Sequence, residues 1–209
     1  MKDKALVGKF GEGHNDYDWL IIDPSTLAIV TLSLEHYKIH SGTSFTCSHT
    51  DTVTDTGNRT IITFKTPNSR KHLHVTASAS ATAASKACIR EGSTYTDNAG
   101  ATLAVYNRNR NSTNTPIVLD TSQSPDAAGS ATKYVHDTAN LPAEDGTLIA
   151  NITLGQAGNP VQSVGGLARS QQEWELKPNT LYSFEVQSLD ANDNTHWIEL
   201  DWYEHEDEH

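Results

Sequence analysis

From Leu27 onward the chain breaks into short β-like runs, each closed by a cluster of turn residues. The runs are Leu27–Leu34, Phe45–His49, Thr60–Lys65, His72–Ser78, Ala87–Glu91, Leu103–Tyr106, Pro116–Leu119, Lys133–His136, Leu148–Leu154, Glu173–Leu176, Tyr182–Val186 and Trp197–Tyr203. Between them stand Ser41-Gly42, Asp55 to Asn58, Thr66-Pro67-Asn68, Asp97 to Gly100, Asp145-Gly146, Gly155 to Gly158, Gly165-Gly166 and Lys177-Pro178-Asn179. Many short strands at regular turn spacing specify an all-β sandwich or barrel. The expected fold is a single antiparallel β-sandwich, jelly-roll-like, over residues 25–209, preceded by an N-terminal arm at 1–24.

Alternation assigns faces. Tyr182, Phe184 and Val186 share one side of their strand, and Ile198, Leu200 and Trp202 oppose Trp197, Glu199 and Asp201. Hydrophobic residues are 36% of the chain, against about 45–50% apolar in a typical domain with glycine counted. The core is therefore thin, and many strands show one face to water. The Ala-rich stretch 77–87 is read as a strand running into a loop, and no capped amphipathic helix is visible. Cys47 and Cys88 stand far apart, outside any Cys-x-x-Cys pair; one disulfide and two buried thiols are both open.

A formal charge of −11 argues against nucleic acid, which requires clustered Lys and Arg. No apolar run reaches membrane-spanning length, and the first twenty residues lack the apolar core of a signal peptide. The expectation is a soluble chain, with no membrane partner, not exported by that route. The acidic ending Glu204 to His209 reads as a solvated tail.

No Gly-x-Ser-x-Gly elbow and no Gly-x-x-x-x-Gly-Lys phosphate loop occurs. His72 and His74, two apart, point the same way on a strand, as metal-binding histidines of β-barrels do. The acid that such a site needs about four positions later is missing, for Val75, Thr76, Ala77 and Ser78 follow. Hydrogen-bonded interface histidines are the preferred reading, with no metal, no cofactor and no enzyme activity expected. Tyr106-Asn107-Arg108-Asn109-Arg110-Asn111-Ser112 is the unusual local segment. On a strand, Arg108 and Arg110 share a face suited to bidentate pairing with carboxylates of another surface. The competing reading is a solvated edge loop whose arginines discourage strand-to-strand aggregation.

Taken in order, Glu35–Gly42 with Phe45 and Ser48-His49, then Tyr106–Ser112, Arg169–Thr180 and Leu200–His205, resemble a group of head decoration (cement or auxiliary capsid) proteins of tailed bacteriophages. The longer Ala/Ser/Thr-rich middle and the acidic extension after His205 depart from that pattern. The resemblance implies a β-sandwich on the outer capsid surface of the virion, bound to the major capsid protein. It further implies a homo-oligomer (a trimer is favoured), with neither catalysis nor cofactor. Under it, Arg108, Arg110, Tyr203 and His205 are expected to contact capsid or sister chains, and Phe10, Tyr17 and Trp19 to anchor the N-terminal arm. Trp174, Leu176 and Trp202 are assigned to the core. The alternative is a host-recognition module, a head fibre or tail-associated carbohydrate-binding domain, with Trp19, Tyr95 and Trp197 as stacking platforms.

Overall fold

Most of the turn-punctuated runs fall on strands in the computed structural model, which describes residues 4–8, 17–21, 34–94, 103–119, 144–155 and 173–206. The chain divides into two units, Met1–Tyr37 and Lys38–His209. In the first, β1 (Lys4–Gly8) and β2 (Tyr17–Ile21) pair antiparallel, from Lys4↔Ile21 to Gly8↔Tyr17, within the stretch expected as an arm. A helix that the sequence did not announce, α1 (Leu34–His40), crosses the boundary between the units. It ends in a Schellman motif: Thr43 N–H donates to Lys38 O and Gly42 N–H to Ile39 O, each at 3.0 Å. Gly42 holds φ +71°, the left-handed conformation that this cap requires.

The second unit holds β3 (Ser44–Val53), β4 (Arg59–Lys65), β5 (Lys71–Ala81), β6 (Ser85–Glu91), β7 (Tyr106–Asn107), β8 (Thr147–Leu154), β9 (Trp174–Leu176), β10 (Leu181–Ser188) and β11 (Asn194–Glu206). One sheet has the order β4-β10-β6-β8 and the other β7-β3-β11-β5-β9, every pairing antiparallel. Thus β3 lies beside the last strand and β4 beside the last but one, while β5 and β6 flank those same two on their other sides. This nesting is the strand order of a jelly roll, with β7 as an added edge.

Inward residues follow the alternation. Phe45 and Cys47 on β3, Leu73 and Val75 on β5, and Ile198, Leu200 and Trp202 on β11 meet Ile62, Phe64, Tyr182, Phe184 and Val186 of the opposite sheet. One aromatic pair joins the layers, Phe64 on Trp202 at 6.4 Å, and each ring also packs within its own sheet, Phe64 on Phe184 at 5.8 Å and Trp202 near Phe45 at 5.8 Å. Such contacts add to the gain from area burial alone. Leu176 and Trp202 are core as expected, and Trp174 packs partly buried against it.

On β10 the outward face is buried as well. Glu185 is held there by Arg59 Nη1 at 3.2 Å, Arg90 Nε at 3.6 Å and the Ser183 hydroxyl at 2.6 Å, so the carboxylate is compensated. Cys47 and Cys88 are both buried free thiols.

Two expected strands differ. The run Pro116–Leu119 contains a 3-10 helix at Ile117–Leu119. Proline offers no N–H to a ladder, and the Ile117 N–H donates at 2.9 Å to Oε1 of the buried Glu204 side chain instead. Of Leu103–Tyr106, only Tyr106 enters a strand, opposite Thr46, while Leu103 and Val105 pack against the core. Leu34 is helical; the rest of Leu27–Leu34, and all of Lys133–His136, lie outside the described residues. The Ala-rich stretch behaves as expected: β5 runs to Ala81, and a short turn leads into β6 at Ser85.

Candidate functional site

The outer face of the five-stranded sheet is set by register. Opposite Tyr203 of β11 lies His74 of β5, and opposite His205 lies His72. All four point outward because their neighbours Leu73, Val75 and Trp202 point into the core. Beyond β5, β9 and the residue before it supply two carboxylates at the same period of two. Glu175 meets His72 Nδ1 at 2.7 Å and Glu173 meets His74 Nδ1 at 2.7 Å. Glu173 Oε1 also accepts the Tyr203 hydroxyl at 2.6 Å. The His74 ring stacks on Tyr203 at 4.8 Å and lies 4.5 Å from His205, while Lys38 Nζ sits 6.0 Å above the Tyr203 ring.

Tyr203 is therefore nearly buried, 9% exposed, beneath groups of its own chain. It braces the surface, whereas the sequence reading had it facing a neighbour. His205 is part-exposed beside it. His72 and His74 share a face, as their spacing implied, but that face is the outside of the sandwich. Among the described residues, no group of three or more His, Cys, Asp or Glu side chains is placed to hold a metal.

The Arg108–Arg110 segment is a loop leaving β7, tied to the end of α1. Arg108 N–H donates to Ser44 O at 2.9 Å, and Ser44 is the register partner of Tyr203. Asn107 Nδ2 donates to Gly42 O at 2.9 Å, and Asn109 Nδ2 donates to His40 O at 3.0 Å. Arg110 is exposed and lies 5.4 Å over the ring of Tyr106, itself 52% exposed. Tyr17 and Trp19 fall on β2 of the first unit, and Phe10 lies outside the described residues.

Farther along the same outer face, Trp197 stands half-buried between Thr50 and Ser80. The rows that flank β11 here carry only hydroxyl side chains outward: Thr46, Ser48, Thr50 and Thr52 on β3, and Thr76, Ser78 and Ser80 on β5. The arrangement is a broad polar face with a firmly braced aromatic–histidine end.

Sequence reasoning missed Lys38, Tyr106, Glu173 and Glu175. The Glu-x-Glu spacing at 173 and 175, matched to His-x-His at 72 and 74, was the available signal. Comparison with family models, with curated proteins and with solved structures found no match.

Proposed function

We propose that this chain is a non-catalytic structural protein of a phage virion, which docks on the outer surface of the capsid and stabilises the expanded head. What supports the reading above all is a convergence in space. The segments that carry the resemblance to head decoration proteins are far apart in sequence, yet they meet around Tyr203. Lys38 lies over its ring, Ser44 is its register partner, Arg108 bonds Ser44, and Glu173 holds its hydroxyl. A jelly roll presenting such a face is suited to spreading over a lattice without enclosing a small molecule.

The mechanism is linkage. A protein that binds the assembled lattice and not the dissociated subunits stabilises the lattice by mass action. As a trimer it would add avidity through repeated contacts, with no single tight site needed. The test is cosedimentation of the purified chain with expanded heads that lack it, followed by heating. Binding that raises the temperature of head disruption supports the proposal; heads that neither bind it nor gain stability refute it.

Trp197 favours a second reading. A half-buried indole among hydroxyl side chains suits stacking on a sugar ring, which is the host-recognition alternative. Glycan-array binding by the wild type that is lost in Trp197→Ala would favour that reading over capsid docking.

A further inference from the structure

We infer that the loop after β7 is a preorganised docking element, with Tyr106 and Arg110 as its contact pair, and that its partner is a carboxylate-bearing protein segment. This deepens the docking proposal above and rests on it for the identity of the partner, but not for the chemistry.

The alternating asparagines and arginines divide the work. Asn107 bridges Gly42 O at 2.9 Å and Asn114 O at 3.1 Å, while its Oδ1 accepts the Asn109 N–H at 2.9 Å. Asn109 reaches His40 O at 3.0 Å, and its own Oδ1 accepts the Asn111 N–H at 3.1 Å. Asn114 Nδ2 adds a second donor to Gly42 O at 3.2 Å. The amides thus fasten the loop to the helix cap, and the exposed Arg110 is left poised over Tyr106. A guanidinium on a tyrosine face is oriented in advance, so little side-chain entropy is lost when it meets a carboxylate. Tyr and Arg are also the types over-represented where binding energy concentrates.

Charge names the partner. Residues 36–50 and 103–119 contain no Asp or Glu, although the whole chain carries −11. Their mutual hydrogen bonds place Lys38, Arg108 and Arg110 on two joined segments that carry no acid of their own, on an acidic protein. An acidic segment gains there and is repelled elsewhere.

Two experiments on the whole chain test the inference. In an NMR titration at low salt, poly-L-glutamate should shift the amides of 106–112 and 38–43. Arg110→Glu should abolish the shifts, and poly-L-lysine should not produce them. Shifts confined to other residues, or none at all, overturn the inference. In cosedimentation with heads lacking the protein, Arg110→Glu and Tyr106→Ala should each weaken binding by about tenfold or more, with Arg110→Lys in between. Circular dichroism and thermal midpoint should be unchanged, because both residues are exposed. Heads that bind wild type and Arg110→Glu equally overturn the loop inference and leave capsid docking standing. Heads that bind neither, with poly-L-glutamate still mapping to the loop, overturn capsid docking and leave the loop inference standing.

Discussion

His74 and Tyr203 lie flat against each other, ring centroids 4.8 Å apart and planes within 6°, and both donate to the same oxygen, Glu173 Oε1. One carboxylate from the strand edge thus locks two rings from neighbouring strands. Glu173→Ala should cost about 1–3 kcal/mol, since two charge-assisted bonds are lost at a part-exposed site. Tyr203→Phe should cost less, because His74 keeps its partner. In the Glu173→Ala background, Tyr203→Phe should cost almost nothing further. Urea unfolding of the four proteins gives this coupling, and fully additive costs would contradict the shared lock.

Gly42 stands where the helix cap and the docking loop meet. A methyl group there would clash with the Ser112 hydroxyl and come within 2.7 Å of Ser112 Cβ, on a backbone at φ +71°. Gly42→Ala is expected to lose about 1–3 kcal/mol. The Arg108 amide, bonded to Ser44 O, should then exchange with solvent faster while amides of β10 do not. Unchanged exchange at Arg108 would mean that the loop does not depend on the cap.

Two buried ionisable groups pull stability in opposite directions with pH. Burial holds the His196 imidazole, bonded to Thr60 Oγ1 at 3.0 Å, down to about 4 from its ordinary 6.5. The unfolded chain binds that proton first, so this contribution is full above pH 6.5 and is lost as pH falls towards 4. Burial lifts Glu204 to about 7 from 4.5, despite the bonds it accepts from Ile117 N–H and the Trp202 indole. Here the folded protein keeps a proton that the unfolded chain has released. Its contribution is full below pH 4.5 and is lost as pH rises through 7. Between pH 4.5 and 6.5 the opposing slopes, each about 1.4 kcal/mol per pH unit, cancel. Glu204→Gln should expose the rising slope of His196 across that window, read by urea unfolding at several pH values. A variant whose pH profile runs parallel to wild type would contradict this assignment.

The thiols give a third handle. Burial, aided by Asp201 and Glu199, pushes Cys47 up to about 12, and burial also raises Cys88. Neither should react with a thiol reagent in the folded protein at neutral pH, and both should react together on unfolding. Rapid labelling of native Cys47 would mean that the sandwich interior opens locally.

How much of this was legible in the sequence follows from range. The period-two runs announced β10 and β11 and their inward faces, Tyr182 with Phe184 and Ile198 with Trp202, because alternation is local. What escaped depends on distant partners. Glu173 meets His74 across 99 residues of chain, a pairing that no local pattern encodes. The burial of the outer face of β10, Ser183 and Glu185, has no local signal either, because the arginine partners of Glu185 sit on other strands. Pro116–Leu119 looked like a strand until Glu204 claimed the Ile117 N–H. The alternation of Asn and Arg at 107–111 left a strand face and an edge loop both open; the asparagine side chains decide for the loop by satisfying loop and cap backbone groups.

The most direct test of the central proposal is the copy number of this chain in purified virions, by quantitative mass spectrometry against the major capsid protein. Capsid docking predicts a count comparable with that of the capsid protein. A count that is a small fraction of it, or none, would contradict the account.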